Sequence, residues 1–150
     1  MNGLEIKIKL LDLLQLQQEK VVKNFRTVIS DAQKSANEYG APKDRYDSYR
    51  MQLLRKKDMF AQQMTKALEQ AEVLQKISIV KKMEKVAFGA LVLTSKQNIF
   101  VSIGIGKVEL EDEIYYAISP NVPFYKAMEG LQIGDVFEFR NETIKINAIY

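Results

Sequence analysis

Two aspartates three residues apart, Asp44 and Asp47, are the carboxylates that directly follow the turn-forming segment Tyr39-Gly40-Ala41-Pro42-Lys43. With no cysteine and no histidine in the chain, disulfides, thiolate nucleophiles, Ser-His-Asp or Cys-His catalysis and Cys/His zinc sites are excluded. Any metal must be held by oxygen, which points to magnesium or calcium. The same spacing has a purely structural explanation. Asp-x-x-Asp at a helix start is close to a capping box, with Asp44 capping and Asp47 answering the positive helix end. Glu38 lies just before the turn, where its own helical register leaves its direction open.

The elements that must position these acids are two long heptad-patterned segments. Leu4, Ile8, Leu11, Gln15, Gln18, Val22, Phe25, Ile29, Ala32 and Ala36 follow an unbroken 4-3 spacing, and Leu53, Lys57, Phe60, Met64, Ala67, Ala71 and Leu74 repeat it. Gly40 ends the first helix and Pro42 suits entry to the second. The pattern predicts an antiparallel hairpin over 4–39 and 44–77, with arms of about 50 Å at 1.5 Å per residue. A hairpin that long holds its tip away from the rest of a protein, which suggests reach. Coiled coils also serve as plain oligomerisation devices. Gln15, Gln18 and Lys57 in the seam weaken a dimer and favour a monomer.

Composition is that of an ordinary soluble protein: 150 residues, 47% hydrophobic and 27% charged. The apolar stretch Leu4–Leu16 is interrupted by Lys7, Lys9 and Asp12, so neither a signal peptide nor a membrane span is expected, and the reading is cytoplasmic. Residues 1–77 carry 14 Lys or Arg against 10 Asp or Glu, residues 78–150 carry 8 against 9. The positive charge thus sits on the hairpin, much of it at Lys43, Arg45, Arg50, Arg55, Lys56 and Lys57. That cluster is either a phosphate-facing surface or a solvated helix face.

Near residue 78 the sequence period changes from helical to alternating. Strands are predicted at Ala90–Thr94, Ile99–Ile103, Val108–Leu110, Ile114–Ile118, Val136–Arg140 and Thr143–Ile149, with turns that include Asn141-Glu142. A short helix over Pro123–Glu129 should stop at Gly130 and present Phe124, Ala127 and Met128 on one face. The fold class is α+β: a hairpin over 1–77, then an antiparallel-sheet domain with one short helix over 78–150, the two joined through Ser78–Lys85.

These residues carry a family resemblance. The run from Ile118-Ser119-Pro120 through Phe124-Tyr125-Lys126-Ala127-Met128-Glu129-Gly130 to Gly134-Asp135-Val136 resembles the corresponding stretch of the Gre-type transcript cleavage factors of bacteria. Leu68-Glu69-Gln70-Ala71-Glu72-Val73-Leu74 is similar to the family's segment closing the second helix, and Val86-Ala87-Phe88-Gly89-Ala90-Leu91-Val92 to its first strand. The resemblance implies a C-terminal domain like the FK506-binding proteins in fold. It also implies a coiled coil that enters the secondary channel of a backtracked RNA polymerase. There the tip carboxylates support a magnesium ion at the polymerase active centre, so that the polymerase cuts its own transcript. On that reading the protein is an accessory factor rather than an enzyme, holding no metal tightly by itself. Asp44 and Asp47 assist cleavage, and Arg45, Arg50, Arg55 and Lys56 face transcript RNA. Asn121, Val122, Pro123 and Phe124 dock on the polymerase.

The tip departs from the family pattern Gly-Asp-x-x-Glu-x-x-Glu. The chain has Gly40-Ala41-Pro42-Lys43-Asp44-Arg45-Tyr46-Asp47, so Asp44 and Asp47 match the second and third acidic positions while Ala41 replaces the first. A channel-binding relative without cleavage activity is therefore a second reading. A prolyl isomerase or chaperone, and a coiled-coil adaptor, are more remote ones.

Overall fold

The computed structural model describes residues 2–39 and 48–150. Two long helices come first, α1 over Gly3–Tyr39 and α2 over Ser48–Gln75, followed by strands and one short helix. The strands are β1 (Leu91–Thr94), β2 (Asn98–Val101), β3 (Gly106–Leu110), β4 (Glu113–Ile118), β5 (Val136–Phe139) and β6 (Glu142–Ile149), and α3 spans Pro123–Met128. This is the expected α+β architecture, hairpin first and sheet second. Residues 40–47, which include most of the predicted turn and the start of the second predicted helix, lie outside the described residues.

The chain divides into two compact units, Gln15–Glu72 and Met1–Leu14 with Val73–Tyr150. In the first unit the helices pair through the heptad seam. Val22, Ala32 and Ala67 are buried, while the Phe25 and Phe60 rings meet at 6.1 Å between centroids. Every described seam position in this unit is buried or half-buried, as a coiled-coil seam requires. Three seam positions are polar, Gln15, Gln18 and Lys57. Lys57 Nζ donates to Gln33 Oε1 at 2.9 Å, and Gln33 Nε2 to Asn37 Oδ1 at 2.9 Å. Gln18 is buried, and its Oε1 has no hydrogen-bond partner.

In the second unit, α1 begins with a reciprocal cap: Glu5 N–H donates to Asn2 Oδ1 at 2.9 Å, and Asn2 Nδ2 reaches back to Glu5 Oε1 at 3.4 Å. Leu10, Leu11 and Leu14 then join Leu74 and Ile77 against one sheet face, on Leu91, Phe100, Ile103, Val108, Tyr115 and Ala117. The opposite face is packed by Tyr125 and Met128 of α3 over Val92, Ile99, Val101, Phe137, Ile144 and Ile146. Adjacent residues such as Leu91 and Val92 therefore belong to opposite cores, as strand alternation dictates. Both faces are covered, which is why the central strands are apolar almost throughout.

The sheet order is β3-β4-β2-β1-β6-β5. Neighbours are antiparallel except β2 and β4, which run parallel with Asn98 opposite Tyr115 and Val101 opposite Ile118. This departs from the all-antiparallel expectation. The β3–β4 hairpin turns on Glu111 and Asp112, both in the left-handed region, and so lays β4 between β3 and β2 in the direction of β2. A second correction concerns the β5–β6 turn. Phe139 pairs with Glu142, so the loop is Arg140-Asn141 rather than Asn141-Glu142, with φ values of 50° and 65°. The short helix ends as expected: Gly130 takes φ 77°, and its N–H donates to the Val86 carbonyl at 2.8 Å. Its buried side chains are Tyr125 and Met128, not Phe124.

Candidate functional site

The aspartates proposed for chemistry, Asp44 and Asp47, lie outside the described residues, as do Ala41 and Arg45. On the described flanks the two helices remain in touch, with the Tyr39 and Tyr49 rings edge-on at 4.9 Å between centroids. Glu38 is exposed. Of the basic cluster, Arg55 and Lys56 are exposed and Arg50 is half-buried, so the first two are open to an anionic partner. The Lys56 ammonium lies 5.9 Å from the Phe60 ring centroid, with its stem along the hairpin surface. Lys57 differs from the rest. It occupies the seam, and its ammonium is engaged by Gln33 across the hairpin, which gives it a pairing role. Among the described residues no group of three or more acidic side chains is placed to hold a metal ion, and no helix is long and apolar enough to cross a membrane.

The loop entering α3 holds the other site residues. Asn121 and Pro123 are exposed, Val122 and Phe124 half-buried. Asn121 N–H donates to Ser119 Oγ at 3.3 Å, and Pro123 takes the first helical position, where a missing N–H is harmless. Val122 stands in the cap position with extended backbone and no side-chain cap. Phe124 packs edge-on against Phe137 at 5.7 Å and Phe139 at 5.1 Å between centroids. Its ring is thus anchored from below while part of it faces solvent, so it is both a packing residue and an available contact.

Two features escape the sequence pattern. Lys7 is fully buried on α1, with its Nζ 3.3 Å from the Tyr150 carbonyl oxygen, and burial holds its amine below the ordinary 10.5. Its signal was a second 4-3-4 stripe, Gly3-Lys7-Leu10-Leu14, running beside the seam. Tyr125 is the second: burial pushes its phenol up, with a further contribution from Glu129 one turn on.

Neither a protein-family model nor a curated protein matches the chain. Among solved structures, the chain is similar to GreA factor homolog 1 (Gfh1) of Thermus thermophilus. The identity is 17%, the alignment covers 91% of this chain and 94% of that one, and the TM-score is 0.34. A likeness that loose carries no argument about site or function, which rest on the residues themselves.

Proposed function

We propose that the protein is an RNA polymerase secondary-channel factor that promotes elongation by stimulating cleavage of backtracked transcripts. The observation that carries this reading is the order of elements. A heptad-seamed helical hairpin is followed by a sheet unit whose β4–α3 segment, Ile118 to Gly130, carries the Gre-like residues. The hairpin supplies a long, basic element suited to a channel lined by nucleic acid. The exposed Asn121 and Pro123, with the half-exposed Val122 and Phe124, supply a surface suited to docking.

Asp44 and Asp47 are hard oxygen donors of the type magnesium prefers, and two carboxylates are too few to hold it without further ligands. Asp44 and Asp47 would hold magnesium jointly with the polymerase, and the ion would supply electrostatic stabilisation for phosphodiester hydrolysis. The two side chains contribute negative charge and ligand oxygens there, and Arg55 and Lys56 offset the charge of the nearby transcript. The reaction remains the polymerase's own.

A second reading is favoured by Ala41, which removes one acid from the family's tip pattern: a factor that occupies the channel without stimulating cleavage. A transcript cleavage assay on backtracked RNA polymerase separates the two. The first reading expects stimulation by the wild type, its loss in the Asp44→Asn, Asp47→Asn double variant, and retained polymerase binding by that variant. Asparagine is itself a good helix cap, so a loss of activity reports the carboxylates rather than the cap. If the wild type binds but gives no stimulation, and Ala41→Asp creates it, the second reading holds. A folded wild-type protein that does not bind the polymerase ends both.

A further inference from the structure

Three segments far apart in the chain converge beside α3. Lys96 and Gln97 come from the β1–β2 turn, Phe124 from α3, and Phe139, Arg140 and Glu142 from the β5–β6 hairpin. Together with the buried Ile144 they line a cavity of about 190 Å³. Its aromatic wall is rigid, because Phe124 is held edge-on between Phe137 and Phe139. Its rim is cationic: the Arg140 guanidinium lies 5.2 Å from the Phe139 ring centroid, and Lys96 is exposed beside it. Of the ion pairs between described residues, none involves Lys96, Arg140 or Glu142. Two cations therefore stand over an apolar recess with a single acid among the lining residues.

The backbone adds an independent observation. Arg140 has φ 50°, a left-handed conformation that glycine, asparagine and aspartate adopt far more readily than arginine. Glu111, first in the β3–β4 turn, takes the same conformation at φ 49°, so both two-residue hairpins place a charged residue where glycine or asparagine is favoured.

We infer that this cavity binds a short peptide segment in which an aromatic or bulky apolar side chain is followed by an acidic residue. The apolar side chain fills the recess against Phe124, Phe139 and Ile144, while Arg140 and Lys96 receive the carboxylate. A recess of this volume lies below the roughly 300 Å³ at which pockets for cofactors and drug-sized ligands begin, and suits one side chain. Two cations against the single lining acid Glu142 leave one net positive charge, and its match to one carboxylate supplies the selectivity. The inference stands on this unit alone and does not depend on the polymerase reading: a chain that ignored RNA polymerase would still bind the peptide.

The test is an amide chemical-shift titration of the full-length protein with the blocked dipeptide Ac-Phe-Asp-NH2, alongside Ac-Phe-Asn-NH2 and phenylacetate. Saturable shifts are expected at Lys96, Gln97, Phe124 and Phe139 to Glu142, with the asparagine peptide about tenfold weaker, the scale of one charge-assisted hydrogen bond. Arg140→Gly is expected to weaken the acidic peptide by a similar factor while raising the thermal midpoint, since glycine relaxes the turn. Lys96→Gln is expected to weaken it without moving the midpoint. The proposal is overturned by equal binding of the two peptides, by shifts located elsewhere, by phenylacetate binding as tightly as the peptide, or by unchanged peptide affinity in a folded Arg140→Gly protein.

Discussion

The hairpin unit and the sheet unit are built from similar residues and are held together differently. In the sheet unit, Leu91, Val92, Ile99, Phe100, Val101, Ile146 and Ile149 are each at most 1% exposed, and two cores share one set of strands. The hairpin has one seam, much of it half-exposed, with an unpartnered Gln18 oxygen and a lysine inside it. Hydrophobic stabilisation follows apolar area removed from water, so the sheet unit holds most of the stability and the hairpin is the region that opens first. On the proposed function, a hairpin that reaches for a partner would tolerate this, and a sheet unit that docks would not.

The comparison breaks most visibly at matched phenylalanines. Phe100→Ala empties a site that is 1% exposed and should destabilise by about 3–5 kcal/mol, read as a shift of the denaturation midpoint. Phe25→Ala removes a half-exposed ring whose aromatic contact is Phe60 and should lose roughly half as much. Equal losses would mean the seam is packed as tightly as the sheet core. Hydrogen exchange sharpens the same point: amides of 20–36 should exchange through a lower-energy opening than those of β1, β2 and β6.

Gln18→Leu exchanges an unsatisfied buried oxygen for an apolar side chain at a seam position. A gain of about 1–2 kcal/mol in hairpin stability is expected, with the exchange of neighbouring amides slowed. No gain would mean that an ordered water satisfies the oxygen.

Lys7 tests the sheet unit by pH. Burial lowers its folded pKa below the ordinary 10.5, so in the interval between the two values the unfolded chain binds more protons and this group's contribution to stability rises with pH. Lys7→Met should therefore be most favourable at neutral pH, its advantage shrinking as pH climbs toward 10.5. The Tyr150 carbonyl keeps its bond from Leu91 N–H in the variant. Tyr115 and Tyr125, both pushed up by burial, act oppositely: their contribution is present below pH 10 and is lost as pH rises through their folded values. Comparing the variant with wild type cancels them, and an advantage independent of pH would show that Lys7 holds its proton equally in the folded and unfolded chain, with no shift on burial. The smallest expected effect is at Arg140→Gly, where relief of the left-handed backbone should add about 1 kcal/mol.

The sequence by itself determined what is written along the chain. Both heptad seams, six strands to within two residues at either end, and the glycine stop after α3 all follow from periods of 3.5 and 2 and from glycine's tolerance of positive φ. The tip acids were legible as residue types, and they lie outside the described residues. Tertiary structure alone decided that residues 3–14 of a helix patterned for a coiled coil also serve a sheet core, because Lys7, Leu10 and Leu14 form a second stripe whose partners in the sheet lie far along the chain. It decided that β4 inserts beside β2 in parallel. It also brought Lys96, Phe124 and Arg140 to one cavity. Contacts between segments so far apart have no periodicity to reveal them; they exist only once the strands have chosen their neighbours.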